Sequence, residues 1–291
     1  MERPPCPALS GLVRSVWHST PTDPPAPAPS HELMMPSGEM HLVLRLAGPP
    51  IAVFDHLDDH VPRNLGYAVV NGARAAAYAK RVTAGSSSIG LQLRPGASQA
   101  LLGLPADELA GRHVQLEDLW GADAGLLREQ LLAAPSADDK LRCLEAALMQ
   151  RLPSSAGSPA RSAHPAVLAG LRQLHDGSSV DAAARSSGYS QRQFVRLFLQ
   201  AVGLTPRRYV RLQRFQKALR LMQQQEPSLA DVAFASGYSD QPHFNRDFRA
   251  FAGLRPEQYR AARPIAANHV PVSFAAGGDV RFVQDSRRPS T

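Results

Sequence analysis

Cysteine is almost absent from this chain: 291 residues contain two, Cys6 and Cys143. Two thiols exclude a disulfide scaffold, a Cys-x-x-Cys redox pair and a zinc site built mainly from thiolates. They fit a reducing, cytoplasmic compartment. Lysine is nearly as scarce. Lys80, Lys140 and Lys217 are the whole set, so almost all the positive charge is arginine. A G+C-rich genome produces the same bias, which by itself says nothing about phosphate recognition. No apolar run approaches the ~18 residues that a membrane span needs, so no membrane partner is expected. Met1-Glu2-Arg3-Pro4-Pro5 leads into no continuous apolar stretch, which predicts no secretory signal. The chain also lacks a phosphate-cradling glycine loop, a Gly-x-Ser-x-Gly elbow and a cysteine set beside a histidine, so neither a catalytic residue nor a cofactor is expected.

What the chain does have is an uneven distribution of charge. Residues 1–160 are net −3, residues 161–265 net +9 and the remainder net +1. A basic segment of about a hundred residues joined to a mildly acidic one suggests a nucleic-acid-binding module attached to a module of another kind. The seam between them is Pro153-Ser-Ser-Ala-Gly-Ser-Pro159, small and turn-forming residues that cannot hold a core and read as a linker.

Before the seam, short apolar runs alternate with Pro and Gly. Leu12–Trp17, His41–Leu46, Ile51–Phe54, Tyr67–Val70 and Ser88–Leu93 predict strands of an antiparallel sheet or barrel. Pro21–Pro29 reads as a stiff loop. Trp17, Val43, Leu44, Phe54, Val69 and Leu91 either line the space inside such a barrel or fill it, with a packed core the expected outcome. From Ala97 the pattern turns helical, and Leu141, Leu144, Leu148 and Leu152 form a stripe. That stripe packs on its own domain or pairs with a second subunit. Asp55-His56-Leu57-Asp58-Asp59-His60 contains His-x3-His, but in a loop it reads as solvated polar residues, so no metal site is expected.

After the seam the chain repeats itself. Gly188-Tyr189-Ser190 recurs 49 residues later as Gly237-Tyr238-Ser239, and Phe194, Phe198, Gly203-Leu204, Pro206 and Tyr209 recur 50 residues later. Each copy opens on Ser-x-x-Asp or its neighbour, a helix N-cap signal. A short helix of small residues follows, then a glycine that stops it, then a second helix that Ser190 or Ser239 can cap. This is the layout of a helix-turn-helix, present twice. Thr205-Pro206 starts a connecting helix that runs to about Gln225. Its length of about 30 Å is close to the ~34 Å between successive major-groove faces of B-DNA.

Residues 161–265 resemble the DNA-binding domain of the AraC/XylS family of bacterial transcription regulators. The resemblance rests on Gly188-Tyr189-Ser190, Phe194, Arg196-Leu197-Phe198, Gly203-Leu204-Thr205-Pro206 and Tyr209. In the second copy it rests on Ala233-Phe234-Ala235-Ser236-Gly237-Tyr238-Ser239 through Phe248 and on Gly253-Leu254-Arg255-Pro256. Pro242 departs from the small polar residue usual in that slot. Leu93-Arg94-Pro95-Gly96 and Leu116–Gly121 are similar to an uncharacterised amino-terminal module found on some of these regulators. Some related repair proteins add cysteine alkyl transfer to this domain, but the thiolate cluster it needs is missing.

The expected fold is therefore α+β. It comprises a strand-rich, barrel-like sensor or dimerisation domain with helices (1–152), a linker (153–163), an all-α DNA-binding domain of about seven helices (164–265) and a tail (266–291). Bases are read from the outward face near the start of each second helix. That face offers Gln191, Arg192, Val195 and Arg196 in the first copy and Gln241, His243, Asn245 and Arg246 in the second. Arg207, Arg208, Arg214 and Arg255 are placed for phosphates. The implied partners are double-stranded DNA, RNA polymerase, a small-molecule effector and a second copy of the chain. The alternative reading is an enzyme or interaction protein tethered to DNA.

Overall fold

The computed structural model describes residues 1–20, 31–55, 59, 61–152, 163–224, 227–264, 266–274 and 280–282. The expected Pro-rich loop and most of the linker lie outside them. Two antiparallel sheets are formed. The first runs in the order β1 (Glu2–Arg3), β2 (Val13–Ser19), β9 (Ser87–Leu93), β4 (Met40–Ala47), β7 (Ala68–Asn71), β10 (His113–Gln115). The second runs β12 (Val280–Phe282), β11 (His269–Phe274), β3 (His31–Met34), β8 (Tyr78–Arg81), β5 (Ala52–Phe54), β6 (Arg63–Asn64). The two sheets stay separate, so the barrel-like expectation resolves into two sheets rather than one closed ring. All five expected strands are present, with ends shifted by one or two residues.

Strand β4 shows why the first sheet has two different faces. Met40, Leu42, Leu44 and Leu46 are buried, while His41, Val43, Arg45 and Ala47 between them are only half-buried. Successive side chains on a strand point to opposite faces. Helices α3 (Glu117–Trp120), α4 (Ala122–Ala133) and α5 (Ala137–Arg151) pack against this sheet, at β10, β4 and β2, while α1 (Ala97–Leu102) and α2 (Ala106–Leu109) join the same core and reach towards the helices that follow. On α5 the stripe Leu141, Leu144 and Leu148 is fully buried against its own chain. Beside it Glu145, also buried, accepts two hydrogen bonds from the Arg3 guanidinium at 3.0 and 2.8 Å and one from the Cys6 amide. This stripe is thus closed to a second subunit.

Seven helices follow: α6 (Pro165–His175), α7 (Val180–Ser186), α8 (Gln191–Val202), α9 (Pro206–Met222), α10 (Leu229–Ala235), α11 (Gln241–Ala252) and α12 (Pro256–Ala262). Their starts follow the cap residues. Ser179, Ser190, Thr205 and Ser228 each accept a hydrogen bond from the backbone N–H three residues on. At α11 the cap is Asp240 rather than Ser239. The carboxylate accepts from the His243 amide at 2.7 Å, and the Ser239 hydroxyl donates to Asp240 instead. Helix α9 ends at Met222, short of the expected Gln225. Its 17 residues span about 25 Å, leaving the rest of the ~34 Å groove repeat to the placement of the two helices it connects.

The described residues after α12 return to the sheets. Arg263 adopts a left-handed turn (φ 45°), and β11 then enters the second sheet. It pairs antiparallel with β3 from His269↔Met34 to Val272↔His31. Gln216 on α9 donates to Pro36 O at 2.7 Å and to Asn268 Oδ1 at 2.8 Å, and Met35 N donates to Asn268 O. The amino-terminal part also touches both second helices of the repeat directly. The Gly96 amide donates to Ala201 O at the end of α8, and the Ala77 amide to Phe251 O at the end of α11. The buried core is continuous from the sheets into the helices.

Val270 and Val272 are fully buried in this arrangement. Replacing both by Ala is expected to cost about 2–5 kcal/mol in total, read as a lowered urea-unfolding midpoint of the full chain. An unchanged midpoint would contradict docking of the strand.

Candidate nucleic-acid interface and the cavity behind it

In each repeat a glycine makes the turn. Gly188 and Gly237 sit at φ 75° and 84°, a left-handed conformation that a side chain disfavours. The following helix buries its aromatics: Phe194 and Phe198 on α8, and Phe244 and Phe248 on α11, are fully buried. Edge-to-face ring contacts tie them together and to α9, Phe198 to Tyr209 at 5.5 Å and Phe215 to Phe248 at 5.2 Å. With the apolar face locked inward, the polar face points to solvent.

On α8, Gln191, Arg192 and Arg196 are exposed and Val195 half-buried. On α11, Arg246 is exposed, and Gln241, His243 and Asn245 are half-buried. These side chains are not equally free. Gln191 donates to Asp181 at 2.8 Å. The His243 ring lies 3.1 Å from the Ser239 hydroxyl and edge-on to Tyr238. The Asn245 amide oxygen is buried without a partner, which turns it away from the exposed face. Arg192, Arg196 and Arg246 have no ion-pair partner among the described residues, and neither do exposed Arg207, Arg208, Arg214 and Arg255. Seven guanidinium groups on one helical region, none of them in a salt bridge among the described residues, give a surface suited to a polyanion.

One arginine of α9 is different. Arg211 holds Asp247 of α11 through two hydrogen bonds, Nη2 to Oδ1 at 2.6 Å and Nε to Oδ2 at 3.2 Å. Asp247 is buried and Arg211 half-exposed. The hydrogen bonds from the guanidinium to this carboxylate raise the Arg211 pKa, and burial, with the Asp247 charge beside it, pushes the Tyr238 phenol up. The pair fixes α11 on the connecting helix. Nothing in the sequence announces it, because the partners are 36 residues apart and each looks like an ordinary surface charge.

A cavity of about 1110 Å³ lies between the two sheets. The first sheet presents three rows to it, set by strand register. Ser19, Ser88 and Arg45 form one row, Trp17, Gly90, Val43 and Val69 the next, and Ser15, Gln92, His41 and Asn71 the third. The packed-core expectation is therefore corrected for Trp17 and Val43, which are half-buried and line space, whereas Val69 is buried in a small core with Val53 and Leu65. Leu44 and Leu91 are buried on the opposite face because they stand one residue away in a period of two. From the second sheet Glu32 faces Lys80 at 2.7 Å and His269 at 3.2 Å. Burial alone would raise the Glu32 carboxyl, but the Lys80 charge and the hydrogen bonds from His269 and Lys80 outweigh it and hold it far below the usual range. Burial pushes His41 down to about 4 and Tyr78 up to about 12, so both are neutral near pH 7.

One edge of the cavity reaches the interface. Between β7 and β8, Gly72 and Arg74 line the cavity, Ala73 abuts Gly203 at the end of α8, and Ala77 bonds to the end of α11. Arg74 is anchored by Gly111 O at 2.8 Å and faces Asp55 at 3.6 Å. Asp55 also pairs with Arg63. Among the described residues no group of His, Cys, Asp or Glu could hold a metal ion; His56, Leu57, Asp58 and His60 lie outside them.

Comparison with known proteins agrees with this layout. Residues 171–262 match a helix-turn-helix domain family, and residues 1–115 match a domain of unknown function, DUF6597. The chain is similar to the probable transcription factor PqrA of Proteus vulgaris, 33% identical over 97 residues that cover 33% of this chain and 80% of that protein. It is 37% identical to the HTH-type transcriptional activator RhaS of Escherichia coli over 83 residues, 28% of this chain and 30% of RhaS. The matched part is thus about a third of the length of the longer relatives. Among solved structures, the DNA-binding domain of AdpA in complex with a target DNA is 31% identical, covering 33% of this chain and 87% of that chain, with a TM-score of 0.30.

Replacing Arg211 by Ala leaves the buried Asp247 carboxylate unpaired. The expected cost is about 1–3 kcal/mol of stability, seen as a lower unfolding temperature, with Arg211→Lys restoring part of it. An Arg211→Ala protein as stable as the parent would show that the pair does not hold α11.

Proposed function

Since the chain belongs to the AraC/XylS family of transcription regulators, we propose that it binds a specific DNA sequence by inserting α8 and α11 into adjacent major grooves. The observation that carries this reading is the repeat itself. Two equivalent helices, each with its aromatic face buried, expose Arg196 and Arg246 in equivalent slots, neither held in a salt bridge among the described residues. Arginine to guanine is the commonest specific base contact. In this reading Arg192, Gln241 and His243 join them at the bases, and Arg207, Arg208, Arg214 and Arg255 hold phosphates. Gln191 reaches a base only by exchanging its bond to Asp181, and Asn245 by turning its amide outward.

The amino-terminal residues 1–152 are the regulatory part of the same reading, and residues 164–265 the DNA-binding part. Support comes from the segment between β7 and β8, which lines the cavity and touches the ends of both α8 and α11. A small molecule in the cavity can therefore alter how the two helices are held relative to each other. RNA polymerase and a second copy of the chain complete the partners. The role is regulatory rather than catalytic, in the cytoplasm; no helix among the described residues is long and apolar enough to cross a membrane.

Genome-wide mapping of bound sites supplies the operator for the test. On that operator, Arg196→Ala and Arg246→Ala are each expected to cost about 1–3 kcal/mol and to relax one base position apiece. Arg208→Ala is expected to weaken all sequences equally and to reduce the salt slope by about one. If Arg196→Ala weakens random DNA as much as the operator, it does not read a base.

A further inference from the structure

Most charges around the cavity are already matched. Glu32 is held by Lys80 and His269, Glu39 faces Arg14 at 3.5 Å, and Arg74 faces Asp55. Glu2, Arg81 and Arg45 have no ion-pair partner among the described residues, and of these three Arg45 alone has a buried nitrogen without a hydrogen-bond partner. It stands on the cavity face of β4, the buried nitrogen is its Nε, and no carboxylate among the described residues pairs with its guanidinium. A cation kept partly out of water without a counter-charge is costly, and burial accordingly lowers its pKa. The other groups on this face do not offset it: Ser88 is its cross-strand neighbour, and His41 is neutral.

The surroundings of Arg45 define what would satisfy it. One pair of residues along β4, about 7 Å away, lies the apolar row with Trp17 and Val43. There the indole of Trp17 lies so close over Gly90 that a side chain on Gly90 would collide with it at 2.5 Å. About 7 Å further lies the row with His41 and Gln92, which offers neutral donors and acceptors. The lining therefore reads anion site, apolar belt, polar end, with the Glu2 and Glu39 carboxylates beside that end.

We infer that the cavity is the binding site for a small organic monocarboxylate, with its carboxylate on the Arg45 guanidinium and its apolar body against Trp17 and Val43. A neutral polar substituent at the far end would meet His41 and Gln92. A guanidinium binds a carboxylate through two parallel N–H donors, a geometry that an amide cannot reproduce. This rests on the reading of residues 1–152 as the regulatory part, but its test needs no DNA.

The experiment is thermal unfolding and calorimetric titration of the full chain with benzoate, 4-hydroxybenzoate and hexanoate, each beside its uncharged amide. The expected result is that at least one carboxylate binds and raises the unfolding temperature while its amide does not, and that 4-hydroxybenzoate binds more tightly than benzoate. Arg45→Met is expected to weaken carboxylate binding roughly 10-fold or more. It should leave the ligand-free unfolding temperature unchanged or raised, because it removes an unpaired buried charge. Arg112→Met, at an exposed arginine outside the cavity lining, is expected to bind like the parent. Binding of none of the three carboxylates, equal binding of acid and amide, or full binding by Arg45→Met would each overturn the assignment. So would a lowered unfolding temperature of ligand-free Arg45→Met, which would make Arg45 a structural residue. Operator affinity of the ligand-free chain is measured separately. Its loss bears on DNA recognition, and its persistence with no carboxylate bound bears on the cavity alone.

Discussion

Everything in this protein is assembled on one buried face of helix α9. Leu212, Phe215, Gln216, Ala218 and Leu219 are all buried along it. Phe215 meets Phe248 and Phe251 of α11, and Tyr209 meets Phe198 of α8, so the two helix-turn-helix units are positioned by the same rod. The rod also faces the sheets. Leu212 packs so tightly against Gly38 that a Cβ there would sit 2.7 Å from a leucine methyl, and Gly38 adopts φ 76° to make that turn. Gln216 is the polar part of the contact. A buried amide has to find partners, and it finds them in Pro36 of the loop after β3 and in Asn268 just before β11. The helix that sets the relation between the DNA-reading elements is thus fastened to the strand pair that walls the cavity.

This arrangement gives a physical route from cavity to DNA without a flexible relay. The segment between β7 and β8 carries cavity-lining Gly72 and Arg74 and, within a few residues, the contacts to Gly203 and Phe251. Packed interiors transmit small displacements because they have little free volume to absorb them. A ligand acts on such a system only through a difference in its affinity for the two arrangements of the helices. The β11 strand adds a second connection, since His269 is both paired into the sheet and bonded to Glu32 inside the cavity.

Much of this was legible in the sequence where the same local chemistry occurs twice. Ser179 and Ser228, Gly188 and Gly237, and the paired phenylalanines each made one reading of the helical part consistent with the other. Alternation in His41–Leu46 announced a strand and its two faces, but a period of two cannot say whether a face meets side chains or empty space. Trp17 and Val43 therefore looked like core. The stripe on α5 showed an apolar face without naming what covers it. Contacts between residues distant in the chain left no local signal at all. The strand His269–Phe274 finds β3 more than 230 residues away, and the Asp247 carboxylate finds Arg211 on another helix. The Ser239 cap was misplaced by one residue because Asp240, the stronger acceptor, stands next to it.

The central claim is that one chain places two recognition helices in successive major grooves on one side of the duplex. Methylation interference on the mapped operator tests it most directly, since N7 of guanine lies in the major groove. The account predicts two clusters of interfering guanines on one face, about 10 base pairs apart, with the parent chain giving both clusters, Arg196→Ala losing one and Arg246→Ala losing the other. A single cluster, or two clusters that both vanish with either substitution, would contradict it.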